Sequence, residues 1–473
     1  MKDIENAPLG KTIPVKTASL KPARQPVLSE NKSLCFSGET ALSTGWLASF
    51  GLFIKRHQKI ISFIQWAVVL FYFSLLLLPL FSANMAEKHF YARVSGFSLL
   101  MFWGIGWPLI MLSMMLAGRV WCGLFCPDGT MTEFISRHGK KRSIPRWIRW
   151  KGWPCTVLVT TVLYGQLIGV YDSFPATLVL LGIPSSLALA TGFLYGNGRR
   201  IWCMYLCPGN GIFGLLARFS PVHYRVDGKK WKEYAGSRER LDCPVLINVS
   251  QMQSMAGCHA CGRCIGHRNA VELGLRSPFS EIRDASENRI SGSESFLLLW
   301  GIIGICTAAL VWRGTGIHVH FAQFLSHQQD LNASNLPWWI ASGPSSFYLL
   351  LFILLTGSAI ALAVTVLLWL AAFFTGKTGQ WKQLALCLIP VTGFGIFLGL
   401  CQISFSLWQI HGFQVGWASI LQTIVLCIAA LFSVWLGFKT IVGQFTIANL
   451  IAFLVYCLPV TLLSTLWLIH FQI

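Results

Sequence analysis

The 473-residue sequence predicts an all-α polytopic membrane protein with about nine transmembrane helices and one small polar insert. Three observations carry that prediction. Charged residues make up 12% of the chain, about half the share usual in a soluble domain. Apolar runs able to cross about 30 Å of hydrocarbon, roughly 20 residues each, recur along its length. All but three of its 37 Lys and Arg residues fall in alternate intervals between those runs, the exceptions being Lys88, Arg93 and Arg313. A soluble enzyme built on a single core is excluded on these grounds. The net charge of +19 then reads as membrane orientation rather than as a nucleic-acid surface, and no nucleic-acid partner is expected.

Residues 1–55 form a polar tail with scattered Lys and Pro, ending in an amphipathic piece from Leu42 to Ile54. It does not read as a signal peptide, because no short apolar core stands beside a small-residue cleavage site. Residues 56–217 hold four spans, near 60–82, 97–117, 153–171 and 176–196. Residues 218–295 are the polar insert. Residues 296–345 supply a fifth span, 296–312, which is the shortest run, and an outer loop. Residues 346–473 hold four more spans, near 346–374, 384–405, 417–437 and 445–469. The distribution of basic residues predicts a cytoplasmic N-terminus, a cytoplasmic insert and a periplasmic Ile473. No charged residue lies within the apolar cores of the last four spans. That argues against an ion or proton path and leaves a helical platform for a partner subunit, a lipid or a quinone.

One nonapeptide is repeated. Arg119-Val120-Trp121-Cys122 to Cys126-Pro127 and Arg200-Ile201-Trp202-Cys203 to Cys207-Pro208 share the pattern R-[VI]-W-C-x3-C-P at an offset of 81 residues. Each copy closes a helical hairpin at its inner end. The i, i+4 spacing puts both thiols of a pair on one helical face. The proline after the second Cys bends the chain or begins a new turn. Together the pairs offer four thiolates, Cys122, Cys126, Cys203 and Cys207, the number a [4Fe–4S] cubane takes.

The insert adds Cys258-His-Ala-Cys261-Gly-Arg-Cys264. C-x2-C-x2-C wraps a short loop around three corners of a cubane, and a fourth ligand comes from a distant Cys followed by Pro. Arg268 stands where the bacterial pattern places the next Cys, so Cys243-Pro244 is the candidate fourth ligand. Zinc is the rival, but structural zinc wants two separated Cys pairs, and three thiols at this pitch crowd one ion. Disulfides are disfavoured in a reducing cytoplasm. The sequence therefore predicts one or two [4Fe–4S] clusters. Either a second cluster bridges the two hairpins, or Cys126 or Cys207 completes the Cys258 group. Arg119, Arg199 and Arg200 either offset cluster charge or anchor helix ends at the interface. Trp121 and Trp202 read as belt aromatics. Cys35, Cys155, Cys306, Cys387, Cys401, Cys427 and Cys457 are mostly single residues in apolar spans and receive no role.

With these motifs, residues 55–312 resemble the NapH/NosR/CcoG-type polytopic membrane ferredoxins. The resemblance implies a multi-pass protein of a bacterial inner membrane. It would be linked to quinol-dependent electron delivery toward a periplasmic reductase or oxidase, or, in some branches, to copper-enzyme assembly. The sequence departs from the pattern in three ways. It has one incomplete ferredoxin run where members usually carry two complete ones, no flavin-binding domain before the first span, and four last spans without a counterpart.

The leading expectation is thus a membrane-bound iron–sulfur electron-transfer protein, a quinol dehydrogenase-type component fed by quinol or a cytoplasmic donor. The alternative is a metal-handling protein that reduces or delivers copper to a partner oxidase or reductase. A redox sensor would need an output domain, and none is visible. In the outer loop, His318 and His320 alternate as on a strand and His327 follows. Imidazole suits copper or haem, but solvated loop residues are the plainer reading. His411 offers a quinol-pocket residue beside the same interfacial reading.

Overall fold

The computed structural model describes residues 45–83, 88–236, 241–252, 254–284, 290–315, 320–321, 323, 345–410, 412–442 and 446–472. Residues 1–44 of the tail, Cys35, His318, His327 and His411 lie outside the described residues. His320 is described and exposed.

Eight helices among the described residues are long and apolar enough to cross a membrane: Gln58–Phe81, Arg93–Ala117, Phe174–Tyr195, Gly292–Trp312, Phe347–Phe374, Thr378–Gln409, Ala418–Ile441 and Ile447–Phe471. The N-terminal half runs α1 (Gly45–Arg56), α2 (Gln58–Ala83), α3 (Lys88–Leu99) and α4 (Trp107–Ala117). A π-helical stretch, Leu100–Gly106, joins α3 and α4 into one rod. Then follow α5 (Pro127–His138), α6 (Trp153–Leu167), α7 (Phe174–Tyr195), α8 (Ile201–Tyr205) and α9 (Gly209–Ala217).

Eight is in keeping with the expected number of about nine, and the remaining apolar run forms the shorter helix α6. Its 15 residues span about 22 Å, short of the roughly 30 Å of hydrocarbon. Local chemistry ends it early. Gly169 takes φ +62°, a left-handed stop that favours glycine. The Val170 N–H then donates back to the Gly165 carbonyl at 3.1 Å. Thr177 Oγ1 donates to the Val170 carbonyl at 2.7 Å, and Trp103 Nε1 donates to Thr177 Oγ1 at 3.0 Å. The run that looked shortest is the sounder helix. Ser291 and Glu294 form a reciprocal cap, and the chain then stays helical from Gly292 to Thr315.

Lipid tails are as apolar as leucine, so membrane helices associate through close packing at small residues. A Cβ on Gly304 would lie 2.5 Å from the Gly357 carbonyl oxygen and 3.0 Å from Ala361 Cβ. One on Gly399 would lie 2.6 Å from the Trp467 ring, which is fully buried. The Thr378–Gln409 helix is the centre of the C-terminal half: Leu384 to Leu388 expose nothing. One apolar core, including Met114, Leu216, Ile303, Leu386 and Trp467, joins both halves.

The insert builds a small lobe on a two-stranded antiparallel sheet. In it β1 (Val222–Val226) pairs with β2 (Val271–Leu275), and Tyr224 lies opposite Leu273. Tyr224, Val249, Ile265, Val271 and Leu273 form its core, and Leu47 of α1 completes it. Gly51 of α1 lies against Leu273 and Ile265, and Ile54 lies against Gly262. An adjoining face of α1 exposes Trp46, Phe50 and Phe53, as an interfacial helix does. Helix α1 begins at Gly45 and runs past Ile54 to Arg56.

Gly304→Val should wedge its helix away from Phe347–Phe374 and cost about 1–3 kcal/mol. Gly292→Ala, at a position with open space, should be near neutral. Unfolding of the purified protein in mixed detergent measures both.

Candidate metal centre

The two repeats fold alike. In the first, Trp121–Phe125 forms one π-helical turn, and the Cys126 N–H donates to the Trp121 carbonyl at 2.8 Å. In the second, the Cys207 N–H donates to the Trp202 carbonyl at 3.0 Å. Each second Cys thus closes a five-residue turn, and the proline behind it opens the next helix. Pro127 begins α5, where its missing N–H costs nothing, and Pro208 leads into α9.

The four thiols of the repeats share one place. Burial pushes Cys126 up strongly, and Asp128, Cys203, Cys122 and Cys207 push it further. Burial, Cys207 and Cys122 do the same to Cys203, against the pull of Arg200. Cys207 is pushed up to about 12 by burial, Cys122 and Asp128, while the Gly209 N–H two residues on donates to its sulfur and pulls back. Arg119 Nη2 points at Cys122 Sγ, 3.8 Å away.

The lobe gathers a second set. Burial pushes Cys258 up, with Cys264, Cys261 and Cys243 adding to it. Cys264 is pushed up to about 12 by burial, then by Cys261 and Cys243. The Ala260 N–H donates to Cys258 Sγ at 3.4 Å, and the Arg263 N–H donates to the Cys261 sulfur. A cavity is lined by all four of these cysteines together with Tyr224 and His259. Left-handed backbone at Ala260 and Gly262 curls the loop, and the Gly262 N–H donates to the Tyr224 hydroxyl. Cys243 arrives by way of the second repeat: Arg199 Nη1 donates to the Cys243 carbonyl at 2.7 Å, and the Arg200 N–H to the Pro244 carbonyl at 2.9 Å. Cys126 and Cys207 lie among the repeat thiols.

Of the flanking arginines, Arg119 and Arg200 are not snorkelling anchors, while Arg199 is half-exposed and pairs with Asp242 at 2.8 Å. Arg119 is 3% exposed and Arg200 1%. Arg119 donates to the Ala256 carbonyl at 2.9 Å and to Asn210 Oδ1 at 2.8 Å. Arg200 pairs with Glu133 at 2.9 Å and donates to the Cys122 carbonyl at 2.6 Å. Arg263, inside the C-x2-C-x2-C loop, reaches the same Glu133 at 2.6 Å. Trp202 is buried and so is no belt residue. Burial, with Arg119 and Arg200 nearby, keeps His259 neutral. Glu133, Asn210 and His259 were not singled out in the sequence. For Glu133 a signal existed: it and Asp128 are the only carboxylates between Glu87 and Asp172.

These residues fit iron–sulfur clusters. A metal takes the thiolate, and a buried thiolate needs positive charge and N–H donors beside it. Both sets have them. Among the described residues no three His, Cys, Asp or Glu side chains converge as around a single ion.

The likeness to known proteins agrees. Residues 99–145 and 178–226 match a family described as a 4Fe–4S binding domain. Each stretch contains one repeat, and Cys243 to Cys264 lie outside both. The chain is 28% identical over 164 residues to uncharacterized protein MJ0749 of Methanocaldococcus jannaschii, covering 32% of this chain and 61% of the relative. It is 24% identical over 241 residues to YccM of Escherichia coli K12, provisionally named an electron transport protein, covering 43% of this chain and 64% of that one. The chain thus spans less than two thirds of either relative. No solved structure matches. The likeness is to 4Fe–4S binding proteins at large, and neither relative carries the NapH, NosR or CcoG name.

Glu133→Gln should leave Arg200 buried without its counter-charge and cost about 3–5 kcal/mol. Burial raises the Glu133 pKa, but Arg200 and Arg263 outweigh it and hold the carboxyl below its usual value. The stability it confers is therefore complete above the ordinary carboxylate pKa and is lost as pH falls through the lowered one. Denaturant titrations of both proteins across acid pH should show that limb only in the unaltered chain.

Proposed function

We propose that the protein is a membrane-bound iron–sulfur electron-transfer protein with two [4Fe–4S] sites. Cys122, Cys126, Cys203 and Cys207 hold one, and Cys243, Cys258, Cys261 and Cys264 the other. The observation that carries this reading is the grouping of eight buried or half-buried cysteines into two sets of four, with backbone N–H donors on Cys207 in the first and on Cys258 and Cys261 in the second. Bound clusters would supply one-electron chemistry at a potential set by ligation, hydrogen bonding and exposure.

The chain's residues hold, insulate and tune those sites. Burial keeps water from the repeat thiols. Arg119 at the Cys122 sulfur favours the more negative, reduced state, which raises the potential. Cys243, Cys261 and Cys264 are half-buried where Cys258 is buried, and theirs is the side at which a redox partner protein docks. The provisional name of the E. coli relative supports electron transport as the role. Quinol is the proposed reactant on the membrane side. What supports it is a hydrogen-bonded chain from Tyr72 to Ser185 (3.2 Å) to Asp128 (2.7 Å) next to Cys126. The basic residues favour a bacterial inner-membrane protein with the lobe in the cytoplasm and the C-terminus outside.

Anaerobically purified protein should be brown and contain about eight irons and as many acid-labile sulfides per chain. Cys122→Ser with Cys203→Ser should lower both to about four. A colourless, iron-free preparation would sink the reading.

A further inference from the structure

The loops of the two sulfur sites touch backbone to backbone at one glycine. Gly123 follows Cys122 inside the π-helical turn. Its φ is not among the positive ones, so its conformation is open to any residue. Glycine in a helical turn costs about 1 kcal/mol relative to alanine, so space rather than conformation accounts for it here. A Cβ on Gly123 would strike the His259 carbonyl oxygen and lie 2.8 Å from Cys261 N and 2.9 Å from Ala260 C. From Cys122 the path therefore runs through its own peptide bond to Gly123, across one van der Waals contact, and into the backbone of Cys261.

The ties around this contact cross the same gap. Arg119 spans from Cys122 Sγ to the Ala256 carbonyl, and Glu133 clamps Arg263 of the lobe to Arg200 of the second repeat. Gln65 of α2 donates to the Gly123 carbonyl at 2.9 Å and fixes the turn from the other side.

We infer that Gly123 is a spacing residue that holds the two sites close enough for their electron spins to interact. This rests on the ligation proposed above. The test uses the full chain in detergent, prepared without oxygen, reduced with excess dithionite and examined by electron paramagnetic resonance. The expected spectrum of the unaltered protein is split and broadened by spin–spin interaction, not a sum of two simple rhombic signals. Gly123→Val should lose the splitting and keep its iron. Gly139→Ala, whose Cβ would strike the Phe193 carbonyl instead of the lobe, should keep both. Two non-interacting signals from an unaltered chain carrying about eight irons would overturn the inference and leave the ligation standing. Splitting that survives Gly123→Val with full iron would also overturn it. If that variant loses iron, the spectrum of the unaltered chain decides alone. An unaltered chain without iron would remove both this inference and the reading beneath it.

Discussion

A thiol must ionise to bind metal, and burial opposes ionisation. Around these eight sulfurs, that conflict governs the architecture. Two guanidinium groups, Arg119 and Arg200, are buried almost completely within reach of the sulfurs. N–H groups two residues beyond Cys207, Cys258 and Cys261 turn back onto them. Buried cations in turn need a carboxylate, and Glu133 meets Arg200 and Arg263 at once. Helices α5 and α7 pack closely enough to seal this network: a Cβ on Gly192 would lie 2.9 Å from the Thr132 carbonyl oxygen.

The repeat is symmetric in sequence and asymmetric in use. Arg119 and Arg200 occupy equivalent places in the two nonapeptides. The first addresses a sulfur and the lobe; the second addresses a carboxylate and the carbonyl of the other repeat's cysteine. Both copies form the turn that closes on the second cysteine. The insert after the second copy then gave the two arginines different neighbours.

Much of this was legible because it is local. Apolar runs of span length, the C-x3-C-P pairs and the C-x2-C-x2-C loop are written in contiguous residues, and each pair closes in a single turn. What was not legible depends on partners distant in sequence. The burial of Arg119 and Arg200 needed Ala256, Asn210 and Glu133 to be known as neighbours. Gly123 looked like any glycine until His259 to Cys261 lay against it. The run 153–171 looked like a full span because apolarity alone does not reveal that Gly169 and Thr177 stop the helix. The run 296–312 looked weak because its cap, Ser291 and Glu294, sits in polar sequence just before it.

The shortness of α6 has a consequence for the surrounding lipid. A helix about 8 Å shorter than the hydrocarbon thickness draws the two leaflets toward it or takes polar groups below the headgroups. The insulating film is then thinnest beside α6 and α7, the hairpin that ends in Cys203 and Cys207. On the proposed topology the sulfurs of the repeats would stand nearer to the far aqueous phase than a full-length pair of helices would leave them.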